Sequence, residues 1–237
     1  MIPLKDDIPR RSIPIVTWAV IVLNIAVYAY QVLLGLSLET GGRSAAEAFV
    51  VEFGATPCRL TGACDRGDFP SPYVTVFTSM FLHGSPLHVG SNMLYLWIFG
   101  DNVEDALGHG RFLVFYLLSG LAGAVAQTLM SPTSSIPMIG ASGAISGILG
   151  AYLLLFPYAT ILSLVVFGFF VRSVHIPAVI VLGFWIVLQF INGWLTASVP
   201  AMGRGESGGV AWFAHIGGFL AGMVLLLLLR PRASRRP

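Results

Sequence analysis

Charged residues are scarce in this chain. Asp, Glu, Lys and Arg account for 10% of its 237 residues, whereas hydrophobic residues account for 56%. An ordinary soluble domain carries about 25% charged residues, and the mean hydropathy here is strongly positive at +0.82. This composition predicts a protein embedded in the lipid bilayer. A nucleic-acid partner is disfavoured, because the net charge is only +2 and no basic run with interleaved aromatic residues is present.

Acidic residues are missing altogether between Asp105 and Glu206. A Ser-His-Asp triad requires a carboxylate hydrogen-bonded to its histidine. For a histidine in the last third of the chain, Glu206 is a weak candidate for that carboxylate, because it lies in a predicted loop. The chain has neither a His-Glu-x-x-His helix nor two aspartates within apolar segments. Metalloprotease and aspartyl protease chemistry are therefore disfavoured, and no metal site is predicted.

Cysteines are also few. Cys58 and Cys64 are the two in the chain, and they lie in a polar stretch that contains glycine. A disulfide between them is predicted if this stretch faces an oxidising compartment. The alternative is two free thiols. A zinc site is disfavoured, because no histidine lies nearby to complete a set of ligands.

Long hydrophobic runs, in contrast, are abundant. Six apolar segments suit membrane helices, which need about 20 residues each. They lie near 14–35, 87–104, 112–130, 142–157, 176–195 and 210–229. The apolar stretch 158–175 is bounded by prolines and is predicted to lie at the membrane interface. The predicted fold is an all-α, six-transmembrane-helix bundle that forms one membrane domain over residues 1–237.

The Lys and Arg residues predict an orientation, because cytosolic loops are enriched in them. With the N-terminus in the cytosol, nine of the 13 fall on the cytosolic side: Lys5, Arg10, Arg11, Arg111, Arg172, Arg230, Arg232, Arg235 and Arg236. The other four fall outside: Arg43, Arg59, Arg66 and Arg204. Both termini are thus predicted to be cytosolic. The predicted connections are a cytosolic tail 1–13, a long outer loop 36–86 and a basic cytosolic tail 230–237.

Polar residues within apolar segments are costly, and a serine and a histidine are singled out among them here. Ser142 opens the fourth segment, and His215 lies near the start of the sixth. In the predicted topology both segments begin at the outer side, so the two side chains fall at similar depth. A hydroxyl nucleophile needs a neighbouring base, and a neutral imidazole suits that role near pH 7. The sequence therefore predicts a Ser142–His215 dyad, with the serine attacking a carbonyl and the histidine passing its proton to the leaving amine.

Donors for the developing oxyanion are predicted beside this dyad. Ser142 stands at a helix start, where backbone N–H groups lack partners, so its own amide and that of Ala141 are candidates. His88 and Asn92 are four residues apart on one face of the second segment and are candidate side-chain donors. The alternative for this pair is an ordinary hydrogen bond between helices.

Small residues predict close packing of the fourth and sixth segments. Pairs of glycines four residues apart let membrane helices approach backbone to backbone. The pairs here are Gly143 with Gly147 and Gly218 with Gly222. Packing through these faces would bring the predicted serine and histidine together.

A substrate gate is predicted on the outer side. The stretch 197–209 is rich in Gly, Ser and Pro, which is typical of a lid, and it directly precedes the segment of His215. Together with Phe184, Trp185 and Phe190 of the fifth segment, it is predicted to control substrate entry. The alternative is that these aromatic side chains simply face lipid.

Four motifs, in order over nearly the whole chain, resemble the rhomboid family of intramembrane serine proteases. They are His83-Gly84-Ser85-Pro86-Leu87-His88 with Asn92, Leu96-Trp97-Ile98-Phe99-Gly100-Asp101-Asn102-Val103-Glu104-Asp105, Gly140-Ala141-Ser142-Gly143, and Ala214-His215-Ile216-Gly217-Gly218 with Gly222. The resemblance implies a six-span bundle with Ser142 as nucleophile and His215 as base. It also implies an oxyanion site from His88, Asn92 and backbone amides, no cofactor, and cleavage of transmembrane substrates at small residues near the outer face.

The chain departs from the family pattern at two places. Val74 and Thr75 stand where some members carry a Trp-Arg pair in the first loop. Ser146 stands where some members carry a tyrosine that stacks on the catalytic histidine. Neither change removes a reacting group.

The predicted function is therefore that of an intramembrane serine endopeptidase acting on single-span transmembrane proteins in the lipid bilayer. One alternative is a non-catalytic relative that binds membrane segments, which would not need the complete set of polar residues. A solute transporter is disfavoured by the acid-free interior. Short tails predict placement in a prokaryotic plasma membrane, and an organellar membrane is the alternative.

Overall fold

A computed structural model describes residues 2–36, 44–64, 69–168, 170–198 and 210–231. Helices dominate these residues. They are α1 Ile15–Gly35, α2 Ala45–Phe53, α3 Pro57–Leu60, α4 Pro72–Thr78, α5 Pro86–Leu107, α6 His109–Met130, α7 Ser142–Leu155, α8 Ala178–Ser198 and α9 Trp212–Leu229. The strands are β1 Ile2–Asp6, β2 Thr160–Phe167 and β3 Phe170–Pro177.

Four of these helices, α1, α6, α8 and α9, are long and apolar enough to cross a membrane. The helix α7 is apolar but has only 14 residues, and α5 has 22 residues but ends in the acidic stretch Asp101–Asp105. Each of the six predicted apolar segments overlaps one of these helices, and the count of six membrane spans stays a prediction. The helix α9 begins at Trp212 rather than near 210, which places His215 in its first turn.

The predicted all-α class is wrong in one region, where a three-stranded antiparallel sheet forms in the order β1-β2-β3. The stretch 158–175 supplies the hairpin β2–β3, and the predicted N-terminal tail supplies β1, with Ile2 opposite Leu164 and Asp6 opposite Ile161. Valine and isoleucine favour the extended backbone of this hairpin. The pairing with β1 joins residues far apart in the chain, which helical periodicity could not reveal.

The sheet is attached to the end of α7 opposite Ser142. The hydroxyl of Tyr152 donates to Oδ2 of Asp6 at 2.6 Å, and the backbone N–H of Thr160 donates to Oδ1 of Asp7 at 2.8 Å. Burial raises the pKa of Asp6 to about 6, and the neighbouring carboxylate of Asp101 acts in the same direction. A strand from the predicted tail is therefore part of the folded domain.

Buried Glu104 joins α1 to α5 at the same end of the bundle. Its side chain is 1% exposed and accepts from the backbone N–H groups of Val16 and Thr17 at 3.0 and 2.8 Å, and from the Thr17 hydroxyl at 2.6 Å. The first N–H groups of a helix have no partner within the helix, so a carboxylate stabilises them. His109 Nδ1 lies 2.5 Å from Oε1 of Glu104, the oxygen that accepts from the N–H of Val16.

The connection between α1 and α5 folds over the Ser142 end of the bundle. Within it, Cys58 and Cys64 are joined by a disulfide. Ala55 exchanges two backbone hydrogen bonds with Met138, at 3.1 and 2.7 Å. This connection therefore holds the loop that leads into α7.

Candidate active site

Ser142 is the first residue of α7 and follows a backbone turn that requires glycine. Gly140 has a φ of +116°, a conformation that side chains disfavour. Its N–H donates to the carbonyl of Ser79 at 2.9 Å, and a Cβ placed on it would lie 2.8 Å from Nε2 of His88. The turn thus lets the backbone approach His88 and presents the serine hydroxyl at the helix start.

The hydroxyl of Ser142 meets the imidazole of His215. Its Oγ lies 2.8 Å from Nε2 of His215, although 73 residues separate the two in sequence. Both residues are partly exposed. Gln127 of α6 accepts from the N–H of Phe213 at 3.1 Å and so holds the start of α9. The arrangement allows a proton to pass from the hydroxyl to the ring nitrogen.

Glycine contacts bring these two helix starts together. A Cβ on Gly218 would overlap the carbonyl oxygen of Gly143, and a Cβ on Gly222 would overlap the backbone of Gly147. Gly147 also lies against the side chain of Ser119 from α6. The backbones of α7 and α9 therefore touch along the face that the glycine spacing predicts, directly below the serine and histidine.

Besides the amide of Ser142 itself, the candidate oxyanion donors His88, Asn92 and Ala141 differ in how they are placed. Nδ1 of His88 accepts from the N–H of Gly84 at 3.4 Å, so its Nε2 carries the proton and faces Gly140 and the region of Ser142. Asn92 uses one of its amide hydrogens on the carbonyl of His88 at 2.9 Å. Ala141 is fully buried and precedes the first turn of α7.

The ring of His83 packs against the ring of His88. The packing is edge-on, with ring centroids 4.9 Å apart, and His83 is only 2% exposed. Burial lowers the pKa of His83 to about 4, so the ring is neutral at pH 7. Gln31 of α1 accepts from the N–H of His83 at 3.0 Å and donates to its carbonyl at 3.1 Å.

Gln189 lies on the other side of His215 and is absent from the residues predicted from the sequence. Its Oε1 is 2.8 Å from Nδ1 of His215, and its side chain is 6% exposed. A glutamine within an apolar segment is the signal that pointed to Ser142 and His215, and it could have singled out this residue too.

Trp185 lies one turn before Gln189 on the same face of α8. Its ring is 5.8 Å from that of His215 and 6.2 Å from that of Phe219. The α8 residue Trp185 therefore places an aromatic ring beside the histidine. Ser146 of α7, at the position where some family members carry a stacking tyrosine, instead donates its hydroxyl to the carbonyl of Ser142 at 2.6 Å.

The predicted gate residues therefore differ in their surroundings. Phe184 and Phe190 are 58% and 49% exposed, whereas Trp185 packs against the core. Most of the predicted lid, residues 199–209, lies outside the described residues, as does Glu206. The gate stays a prediction. Trp185 differs from the two phenylalanines because it contacts the core and His215, whereas they are exposed.

A small cavity opens beside Ser142. Its volume is about 30 Å³, which is enough for one water molecule. Its walls come from α4 and the turn that follows it, α6, the turn before α7 and the start of α9, and include Val76, Met80, Gly120, Gly140 and Ala214.

Comparison with known proteins identifies the family of this chain. The family model of the rhomboid domain matches residues 70–232, which include both Ser142 and His215. The chain belongs to the rhomboid family. It is thus a mostly helical, integral membrane protein.

Three relatives show how far the similarity extends. The chain is 38% identical over 125 residues to the rhomboid protease GluP of Bacillus subtilis, covering 53% of this chain and 23% of that protein. It is 30% identical over 161 residues to the mitochondrial rhomboid protein 1 of Saccharomyces cerevisiae, covering 66% of this chain and 42% of that protein. It is 30% identical over 148 residues to the rhomboid protease AarA of Providencia stuartii, covering 57% and 48%. The matches span less than half the length of these three relatives, and bacterial and eukaryotic proteins are both among them.

Proposed function

We propose that this rhomboid is an intramembrane serine endopeptidase that cleaves single-span transmembrane proteins near the outer membrane face. The observation that carries the proposal is the 2.8 Å contact between Ser142 Oγ and His215 Nε2 at the apposed starts of α7 and α9. The membership in the rhomboid family and the relatives named proteases support it.

The proposed topology has six spans, α1, α5, α6, α7, α8 and α9, with both termini in the cytosol. The starts of α5, α7 and α9 then lie together at the outer side. The short α7 is enclosed by its neighbours, since every residue from Ala144 to Tyr152 is buried. A helix shielded from lipid in this way does not need the length of a lipid-facing span.

In the proposed reaction, His215 Nε2 takes the Ser142 hydroxyl proton as Oγ bonds to the substrate carbonyl carbon. The carbonyl electrons move to its oxygen, and the resulting oxyanion is stabilised by Nε2–H of His88 and the backbone N–H groups at the start of α7. The oxyanion collapses, the C–N bond breaks, and His215 returns the proton to the leaving amine. A water molecule then hydrolyses the acyl-serine ester with the same proton transfers, which restores Ser142.

The test uses purified protein in liposomes with a tagged single-span reporter. Wild type is expected to cleave the reporter, and Ser142→Ala to lose cleavage, because removing a serine nucleophile lowers kcat on the order of 10⁶-fold in a soluble serine protease. Ser119→Ala is the matched control. It removes a buried hydroxyl that has no hydrogen-bond partner among the described residues, and full activity is expected.

Two outcomes would contradict the proposal. Equal cleavage by Ser142→Ala would exclude this serine as the nucleophile. Absence of cleavage by wild type, with the reporter still bound, would favour a relative that binds membrane segments without hydrolysing them.

A further inference from the structure

Gln189 is held in one orientation by two hydrogen bonds. Its Nε2 donates to the backbone carbonyl of Trp185, one turn earlier in α8, at 3.2 Å. Its Oε1 lies 2.8 Å from Nδ1 of His215. Because a carbonyl can only accept, the amide nitrogen belongs on the Trp185 side, and the oxygen must face the imidazole.

This orientation determines which nitrogen of His215 carries the proton. The amide oxygen of Gln189 has no hydrogen to donate, so the bond between them exists only when Nδ1 is protonated. In the neutral ring, Nε2 then has the free electron pair. That pair faces the Ser142 hydroxyl at 2.8 Å, which is the arrangement that a general base requires.

The partners of the His215 ring include no carboxylate among the described residues. The carboxylates of α5, for example, lie at the end of that helix opposite His88. In the residues that the structure describes, Gln189 and Ser142 are the two side chains that hydrogen-bond to the His215 ring. A neutral amide thus occupies the place that an acid takes in a Ser-His-Asp triad. It can orient the ring and select the tautomer, but it brings no negative charge.

We propose that Gln189 is the positioning residue of the Ser142–His215 pair and that it holds His215 in the Nδ1–H tautomer. Since it acts on the histidine from α8, the base is complete only when α8 is packed against α9. The effect on catalysis rests on the proposed protease function, whereas the tautomer does not.

The test compares Gln189→Leu and Gln189→Glu with wild type in liposomes. Leucine removes the acceptor at similar size, and we expect a roughly tenfold lower kcat with little change in KM, which is the value of one neutral hydrogen bond. Glutamate restores an acceptor and adds a charge. We expect it to recover most of kcat and to move the acidic limb of the rate–pH profile to higher pH, a change that a merely structural role would not cause.

Asn192→Leu is the matched control on the same helix. Its amide makes the same kind of bond, to the carbonyl of Leu188 at 2.8 Å, but no hydrogen bond between it and His215 occurs among the described residues. Wild-type kcat and pH profile are expected. Thermal unfolding in detergent would show whether Gln189→Leu remains folded, and Gln189→Glu tests the proposal even if it does not.

A second readout does not depend on proteolysis. Nitrogen-15 NMR of histidine-labelled protein, with His215 assigned by substitution, distinguishes the two neutral tautomers. We expect Nδ1–H in wild type and a mixture in Gln189→Leu. Wild-type kcat in Gln189→Leu, or an Nε2–H tautomer in wild type, would overturn the proposal. If the wild type shows the expected Nδ1–H tautomer but does not cleave the reporter, only the proposed function is overturned.

Discussion

Replacing Gly218 by alanine should separate α9 from α7 and break the contact between Ser142 and His215. The added Cβ would overlap the carbonyl oxygen of Gly143 and lie 3.4 Å from the Cβ of Ser146. The obstruction is backbone, so no side-chain rotation relieves it, and α9 must move by on the order of 1 Å to reach ordinary contact distance. His215 is three residues before Gly218, and Ser142 adjoins Gly143, so the displacement falls on the 2.8 Å contact between them.

The expected losses follow from that displacement. Misplacing reacting groups by about 1 Å can lower the rate roughly 10²-fold, and forcing an extra methyl group into a packed interface costs about 1–3 kcal/mol of stability. The assays are reporter cleavage in liposomes and thermal unfolding in detergent. Gly183→Ala in α8 is the control, because its Cβ would meet nothing within 4 Å and alanine favours the helix. A Gly218→Ala protein with wild-type rate and unfolding midpoint would refute this account of the interface.

Two further predictions concern the sheet and the proposed gate. Asp6→Asn should gain stability relative to wild type as pH rises from about 4 to about 6. The reason is that the folded protein retains the Asp6 proton up to a pKa of about 6, whereas the unfolded chain releases it near 3.8; a difference in unfolding midpoint that does not vary with pH would contradict this. Trp185→Ala should lower reporter cleavage, because its ring lies against the ring of His215. Phe184→Ala should raise cleavage, because the gate prediction assigns this exposed side chain to substrate entry. Equal effects of the two changes would show that the contact of Trp185 with His215 is unimportant.

The serine–histidine pair was predictable because both residues are polar groups in apolar segments. Such groups are rare at membrane depth, and helix direction indicates which of them share a side of the bilayer. The glycine spacing then predicted which faces of α7 and α9 meet. These signals are local in the sequence, and the geometry around Ser142 agrees with them.

Other features depended on contacts between distant segments. The hairpin β2–β3 lies in an apolar stretch that is short and bounded by Pro157 and Pro177, and these features predict an interfacial segment without indicating strands. The third strand could not be found from periodicity, because Ile2 pairs with Leu164. Glu104 lies near the end of α5. Only the packing of α1 against α5 shows that its side chain accepts from the first N–H groups of α1.

The sequence by itself determined the membrane environment, the two polar residues proposed to react and the helices that carry them, because hydropathy and residue chemistry are properties of single segments. Only the tertiary structure decided what surrounds His215. Gln189 and Trp185 reach the imidazole because α8 packs against α9 with one particular face inward. That rotation results from the contacts of both helices together, and no single segment specifies it.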